Sequence, residues 1–142
     1  MSAPSQLAKR LFEIESCGLK EDQGQWSLKT YESEVQSEQA QLYFWPTVDN
    51  FTGFVLYRVL PDSEVWIMNW ACEKKGQGLG AQLFADFINF SRVQGFKKIG
   101  LEVRAGNEAA LKIYKKFALK IVGQRPKYYS NSEDALVLLG NL

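Results

Sequence analysis

The chain has 142 residues, 46% of them hydrophobic and 23% charged, and 17 Lys and Arg against 16 Asp and Glu leave a formal net charge of +1. That length suits one domain with a real core, expected over residues 1–142, and the near-neutral balance provides no field for nucleic acid or an anionic membrane surface. There is no histidine at all, which removes Ser-His-Asp and Cys-His nucleophilic machinery and every metal site built on imidazole.

Cys17 and Cys72 are far apart in sequence, so neither a disulfide framework nor a structural zinc site is expected. No apolar run is long enough to span a membrane. The opening Met1-Ser2-Ala3-Pro4-Ser5 leads to Lys9 and Arg10 without an apolar stretch, so no signal peptide is expected and the reducing cytoplasm is the expected setting. Any chemistry must run on carboxylates, tyrosines, lysines, backbone amides and a bound cofactor, without a metal.

In chain order, Leu7, Leu11 and Ile14 recur at helical spacing and predict a helix over 4–16, with Pro4 in its first turn. A polar segment follows, and Ser27 is placed to cap a second helix with Leu28, Tyr31 and Val35 on one face. Strands are predicted over 42–45, 54–60 and 65–72, separated by Pro46, Asp49-Asn50 and Pro61-Asp62-Ser63. Links this short suit an antiparallel meander.

A helix over 79–93 follows, with Leu83, Phe84, Phe87 and Ile88 on one face and Gly95 as its stop. Residues 98–104 alternate, Ile99, Leu101 and Val103 against Gly100, Glu102 and Arg104, as a strand should. Its link to the preceding strand through a helix makes the two parallel neighbours with a right-handed crossover. Asn107 can cap a short helix carrying Ala110, Ile113, Tyr114 and Phe117 on one side. Two last strands are predicted over 119–124 and 134–139.

Between the third strand and the helix lies Lys75-Gly76-Gln77-Gly78-Leu79-Gly80-Ala81. The first four N–H groups of a helix lack intrahelical partners and the dipole is positive there, so a glycine-rich entry is a ready phosphate cradle. The plain alternative is a flexible loop before a core helix. Gly76-x-Gly78-x-x-Ala81 formally matches the dinucleotide fingerprint, with Glu102 near the place of the ribose-binding acid. That fingerprint belongs on the first strand of a doubly wound sheet, however, and here a meander precedes it. A P-loop is excluded because no Gly-Lys-Ser or Gly-Lys-Thr follows.

The whole order of elements resembles the GCN5-related N-acetyltransferase (GNAT) superfamily, whose pyrophosphate motif Q/R-x-x-G-x-G/A appears as Lys75-Gly76-Gln77-Gly78-Leu79-Gly80. Within it the chain is similar to RimI-type ribosomal-protein alanine N-terminal acetyltransferases over nearly its full length. Ile14-Glu15, Trp26-Ser27-x-Lys29-Thr30, Leu101-Glu102-Val103-Arg104-Ala105, Asn107, Tyr114, Tyr128-Tyr129 and Glu133-Asp134-Ala135 carry the likeness. Lys75 stands where Gln or Arg is usual, and the turn from Cys72 to Gly76 is about two residues short. Phe117-Ala118-Leu119 replaces a usual Leu-Gly-Phe, and Ser130 replaces a usual Pro.

The resemblance implies an α/β (α+β) GNAT fold: a mixed central sheet with an antiparallel N-terminal meander, a V-shaped opening between the two central parallel strands, and about four helices. It implies acetyl-CoA as co-substrate, with Glu102 as general base and Tyr114 as the acid that protonates the coenzyme A thiolate. Trp70, Ala71, Cys72 and Asn107 would contact the pantetheine arm, and Gly76, Gln77, Gly78, Leu79, Gly80 and Ala81 the pyrophosphate. Read from the residues alone, Glu102 is equally a solvated edge carboxylate or a base facing a gap beside Gly100, and Tyr114 on an apolar helix face is more often a core tyrosine than a catalyst.

The expected acceptor is the N-terminus of a small-subunit ribosomal protein, drawn to a groove between residues 17–27 and the Tyr128-Tyr129 hairpin, with Glu13, Glu15 and Glu21 attracting a basic tail. Transfer is expected by direct amine attack, with the protein a monomer or weak dimer. A GNAT acetylating a lysine or small amine, or a silent coenzyme A-binding module, is the alternative.

Overall fold

The structure, a computed structural model, describes residues 3–17, 26–73, 78–129 and 132–142. Its elements are α1 (Ala3–Ser16), α2 (Leu28–Val35), β1 (Gln41–Trp45), β2 (Gly53–Leu60), β3 (Glu64–Cys72), α3 (Leu79–Val93), β4 (Lys98–Arg104), α4 (Glu108–Lys116), β5 (Lys120–Arg125) and β6 (Ala135–Asn141). The strands form one mixed six-stranded sheet in the order β1-β2-β3-β4-β6-β5. β1 lies antiparallel to β2, while β3 runs parallel to β4, with Glu64 to Ile67 opposite Lys98 to Leu101. The predicted parallel pair, joined through α3, is present. Among the described residues no helix is long and apolar enough to cross a membrane.

Two compact units are built from these elements, Met1–Tyr57 with Asn69–Leu83 and Arg58–Met68 with Phe84–Leu142. The first buries Ala8, Leu11 and Ile14 of α1 together with Tyr31, Phe54, Val55 and Leu56. Its helix α2 is capped as predicted, the Ser27 hydroxyl accepting the Thr30 N–H at 3.1 Å. Of the three residues expected on one packed face of α2, only Tyr31 is buried, and Leu28 is 37% exposed. Arg10 ties α1 to the strand ends, pairing with Glu73 at 2.7 Å and donating to the Phe51 carbonyl at 3.2 Å.

The second unit buries Phe84, Phe87 and Ile88 of α3 and Ile99, Leu101 and Val103 of β4. Its two helices end in the same Schellman arrangement. After α3 the N–H groups of Gly95 and Phe96 reach back to the carbonyls of Arg92 and Ser91, and Gly95 takes φ 89°. After α4 the N–H groups of Ala118 and Leu119 reach Lys115 and Tyr114, but the left-handed position, φ 64°, falls on an alanine. A Cβ in that conformation is strained by roughly 1 kcal/mol. Ala118→Gly is therefore expected to stabilise the chain by about 1 kcal/mol, less the entropy glycine adds to the unfolded state. Chemical denaturation measures it, and a lower midpoint would contradict the strain.

Candidate active site

The strongest chemistry-bearing cluster lies in the second unit, where β4, β6 and β5 are neighbours. Glu102 of β4 stands opposite Val137 of β6, which in turn stands opposite Gly123 of β5. From β5, Arg125 pairs with Glu102, Nη2 to Oε1 at 3.2 Å, with side-chain exposures of 57% and 19%. The Arg125 guanidinium also lies over the Tyr128 ring, 5.5 Å from its centre, and Tyr128 meets Tyr129 edge-on at 5.1 Å. Glu102 is thus not a lone edge carboxylate: it is a part-buried acceptor, 19% exposed, with the Arg125 guanidinium on it.

The predicted gap beside Gly100 is filled. A Cβ at Gly100 would fall 2.6 Å from the Trp66 ring and 2.6 Å from a Leu139 methyl, so the missing side chain is occupied by its neighbours' bulk. Trp66 is the register partner of Gly100 on β3, and Leu139 is its partner on β6. Glycine is required there for packing.

The loop between β5 and β6 is held by two carboxylates. Glu133 pairs with Arg104 at 3.3 Å and accepts the Gly106 N–H at 3.0 Å. Asp134 accepts the Lys127 N–H at 2.9 Å and a hydrogen bond from the Gln124 amide. Those two bonds, the backbone one first, hold the Asp134 carboxyl below its ordinary range. Tyr128 is 54% exposed, and the Tyr129 N–H donates to the Glu133 carbonyl at 3.2 Å. Burial first, and then the Glu102 charge, push the Tyr129 phenol up, so it remains a hydroxyl at neutral pH.

Tyr114 of α4 is 4% exposed, with its ring 5.3 Å from that of Phe84. Asn107 caps α4, its carboxamide oxygen accepting the Ala110 N–H at 3.2 Å. The core and cap readings of these two residues therefore hold.

In the first unit, Trp70, Ala71 and Cys72 end β3, and Cys72 is a buried cysteine in no disulfide. Gly78 takes φ 72° immediately before α3, and among the described residues nothing lies within 4 Å of where a Cβ would stand. The Gln82 N–H makes the bond back to the Gly78 carbonyl, so those of Leu79, Gly80 and Ala81 precede the intrahelical ladder. That entry suits a diphosphate: left-handed backbone, open space, and forward-pointing amides at a positive helix end. Gly76 and Gln77, like residues 18–25 of the expected peptide groove and Ser130, lie outside the described residues.

One expectation is corrected here. Glu15 does not face a basic tail; it is 6% exposed and accepts hydrogen bonds from Tyr31 and Asn69. Sequence reading also missed Arg125, which offers no local signal, and Asn69, whose polar side chain inside an apolar strand run was the available clue. Among the described residues no group of three or more His, Cys, Asp or Glu is placed to hold a metal ion.

The model of the acetyltransferase (GNAT) family matches residues 8–118. A candidate ribosomal protein bS18-alanine N-acetyltransferase of Bacillus subtilis (strain 168) is 33% identical over 84 residues, 58% of this chain and 56% of that protein. This chain thus matches little more than half the length of that relative. The ribosomal protein bS18-alanine N-acetyltransferase of Escherichia coli (strain K12) is 30% identical over 118 residues, 80% of this chain and 78% of that protein. The crystal structure of the ribosomal-protein-S18-alanine N-acetyltransferase from Escherichia coli shares the fold, with TM-score 0.78 at 24% identity over 99% of this chain and 90% of that one. With a family match running through most of its length, the chain belongs to the acetyltransferase (GNAT) family.

Proposed function

We propose that this chain is, over residues 1–142, one catalytic domain that transfers acetyl from acetyl-CoA to the α-amine of a protein N-terminus. The acceptor we propose is a ribosomal protein beginning with alanine or another small residue, in a reducing cytoplasm where Cys17 and Cys72 stay thiols. The observation that carries this reading is the Glu102 carboxylate, part-buried at 19% side-chain exposure and paired with Arg125, whose guanidinium lies over the Tyr128 ring. The relatives' names, at about 30% identity, support the acceptor class.

The α-amine of a peptide has a pKa of about 7.7–8.0, so only part of it is neutral near pH 7. Glu102 accepts the amine proton, directly or through a water, and Arg125, mostly solvent-exposed, yields its place on the carboxylate to the incoming ammonium. Acetyl-CoA supplies the acetyl group already activated as a thioester. Backbone N–H groups at the end of β3 orient its arm, and the entry to α3 from Gly78 holds the diphosphate. Tyr114 donates its hydroxyl proton to the departing sulfur. Cys72 forms no covalent intermediate, because direct attack by the amine needs none.

Release of free coenzyme A thiol, followed with and without a peptide beginning Ala-Arg, tests this reading. Release that depends on the peptide and is absent when its α-amine is blocked is expected. Release that ignores the blocking but follows a lysine or a polyamine would replace the N-terminal acceptor with those amines.

A further inference from the structure

The buried carboxylate of Glu15 has no part in that chemistry, yet it anchors a chain of hydrogen bonds that ends on the backbone of β3. The Tyr31 hydroxyl donates to Glu15 Oε1 at 2.6 Å. Asn69 Nδ2 donates to Glu15 Oε2 at 3.3 Å and to Tyr31 Oη at 3.0 Å. Asn69 Oδ1 in turn accepts the N–H of Trp70 at 2.9 Å. Three elements meet in it: α1, α2 and β3.

Donor and acceptor roles run in one direction along this chain. An ionised carboxylate only accepts, so both Tyr31 and Asn69 must donate to it. That leaves the Asn69 carboxamide one orientation, nitrogen toward Glu15 and oxygen toward Trp70. Turned over, it would set its NH₂ against the Trp70 N–H, two donors facing each other. Tyr31 is a permanent donor: burial, reinforced by the Glu15 charge, pushes its ionisation far above the ordinary tyrosine range. Its ring is held by Trp26 at 5.3 Å and Phe54 at 6.0 Å.

The consequence falls on one short stretch of strand. The parallel pairing of β3 covers Glu64 to Ile67, and the network grips the chain just beyond, at Asn69 and Trp70. A strand N–H normally points into the ladder, but that of Trp70 is taken by the side chain of the residue before it. Burying a carboxylate to do this is expensive, and an apolar trio of the same volume would hold two helices to a strand at least as well. The polar trio supplies something an apolar one does not, a fixed direction for one peptide group.

We propose that Glu15 and Tyr31 are positioning residues which, by orienting the Asn69 carboxamide, set the backbone of Trp70, Ala71 and Cys72 for acetyl-CoA binding. The inference rests on the assignment of those three residues to the pantetheine arm. Glu15→Gln leaves one acceptor oxygen where two donors arrive, so one of the two bonds to residue 15 is lost and the Asn69 carboxamide is held less firmly. Tyr31→Phe keeps the ring and removes one link of the chain.

The test measures acetyl-CoA affinity by calorimetry, peptide KM and melting temperature on the full chain carrying Glu15→Gln, Tyr31→Phe or Asn69→Ala. The expected result is acetyl-CoA binding weaker by about tenfold in Glu15→Gln and Asn69→Ala, and by roughly threefold in Tyr31→Phe, with peptide KM within about twofold of parental. Variants that melt lower yet bind acetyl-CoA with parental affinity would overturn the proposal and leave the trio a packing device. If Glu15→Gln does not fold, Tyr31→Phe decides alone, since it preserves volume. A parental chain that binds no acetyl-CoA would sink the cofactor reading and this inference together, an outcome distinct from parental binding with unchanged variants.

Discussion

Replacing Glu102 with glutamine is expected to lower kcat/KM for an acceptor peptide by roughly a hundredfold or more near pH 7, the usual contribution of a positioned base. Shape is conserved, and the ion pair it removes is half-exposed on the Arg125 side, where such pairs contribute only about 0–1 kcal/mol. Folding and acetyl-CoA affinity should therefore hold. The pH dependence carries the sharper signature. Without a base, the variant can use only amine that is already neutral, so its deficit should shrink as pH rises through about 8, the ordinary range of the α-amine. Rates of parent and variant across that range check this. A deficit that is constant with pH would mean Glu102 orients the acceptor without taking its proton.

Tyr114→Phe should lower kcat by about tenfold to a hundredfold while leaving peptide KM near parental. The ring is 4% exposed and packs 5.3 Å from Phe84, so the variant keeps its apolar contacts and loses only a hydroxyl, a change that costs folding about 1 kcal/mol at a typical hydrogen-bonding site. A leaving group that needs no proton makes the acid unnecessary. A thioester of a more acidic thiol should therefore restore most of the variant's rate, measured side by side with acetyl-CoA. If Tyr114→Phe works at the parental rate with acetyl-CoA, the tyrosine is core alone.

Elements whose side chains repeat with a clear period were legible in the sequence. The ranges predicted for α3 and β4 are the ones observed, because Leu83, Phe84, Phe87 and Ile88 mark one helix face and Ile99, Leu101 and Val103 one strand face. Ser27 and Asn107 cap helices as their side chains allow. The parallel relation of β3 and β4 also followed, since a helix between two strands leaves little choice.

What escaped depends on who faces whom across the sheet. Arg125 reaches Glu102 only because β6 lies between β5 and β4, and strand order beyond the crossover has no local signature. Gly100 looked like missing bulk until the register put Trp66 and Leu139 against it. Glu15 read as a charge attracting a basic tail because its partners Tyr31 and Asn69 lie on other elements, 16 and 54 positions away. A buried carboxylate looks like any other glutamate in sequence.

The most direct measurement is mass spectrometry of two peptides incubated with this chain and acetyl-CoA, one beginning Ala-Arg with a free α-amine, the other with that amine blocked and a lysine free. One acetyl group gained, localised to the α-nitrogen of the first peptide alone, is the result expected. Acetyl on the lysine of the blocked peptide, or on neither while acetyl-CoA is bound, would contradict N-terminal transfer as its function.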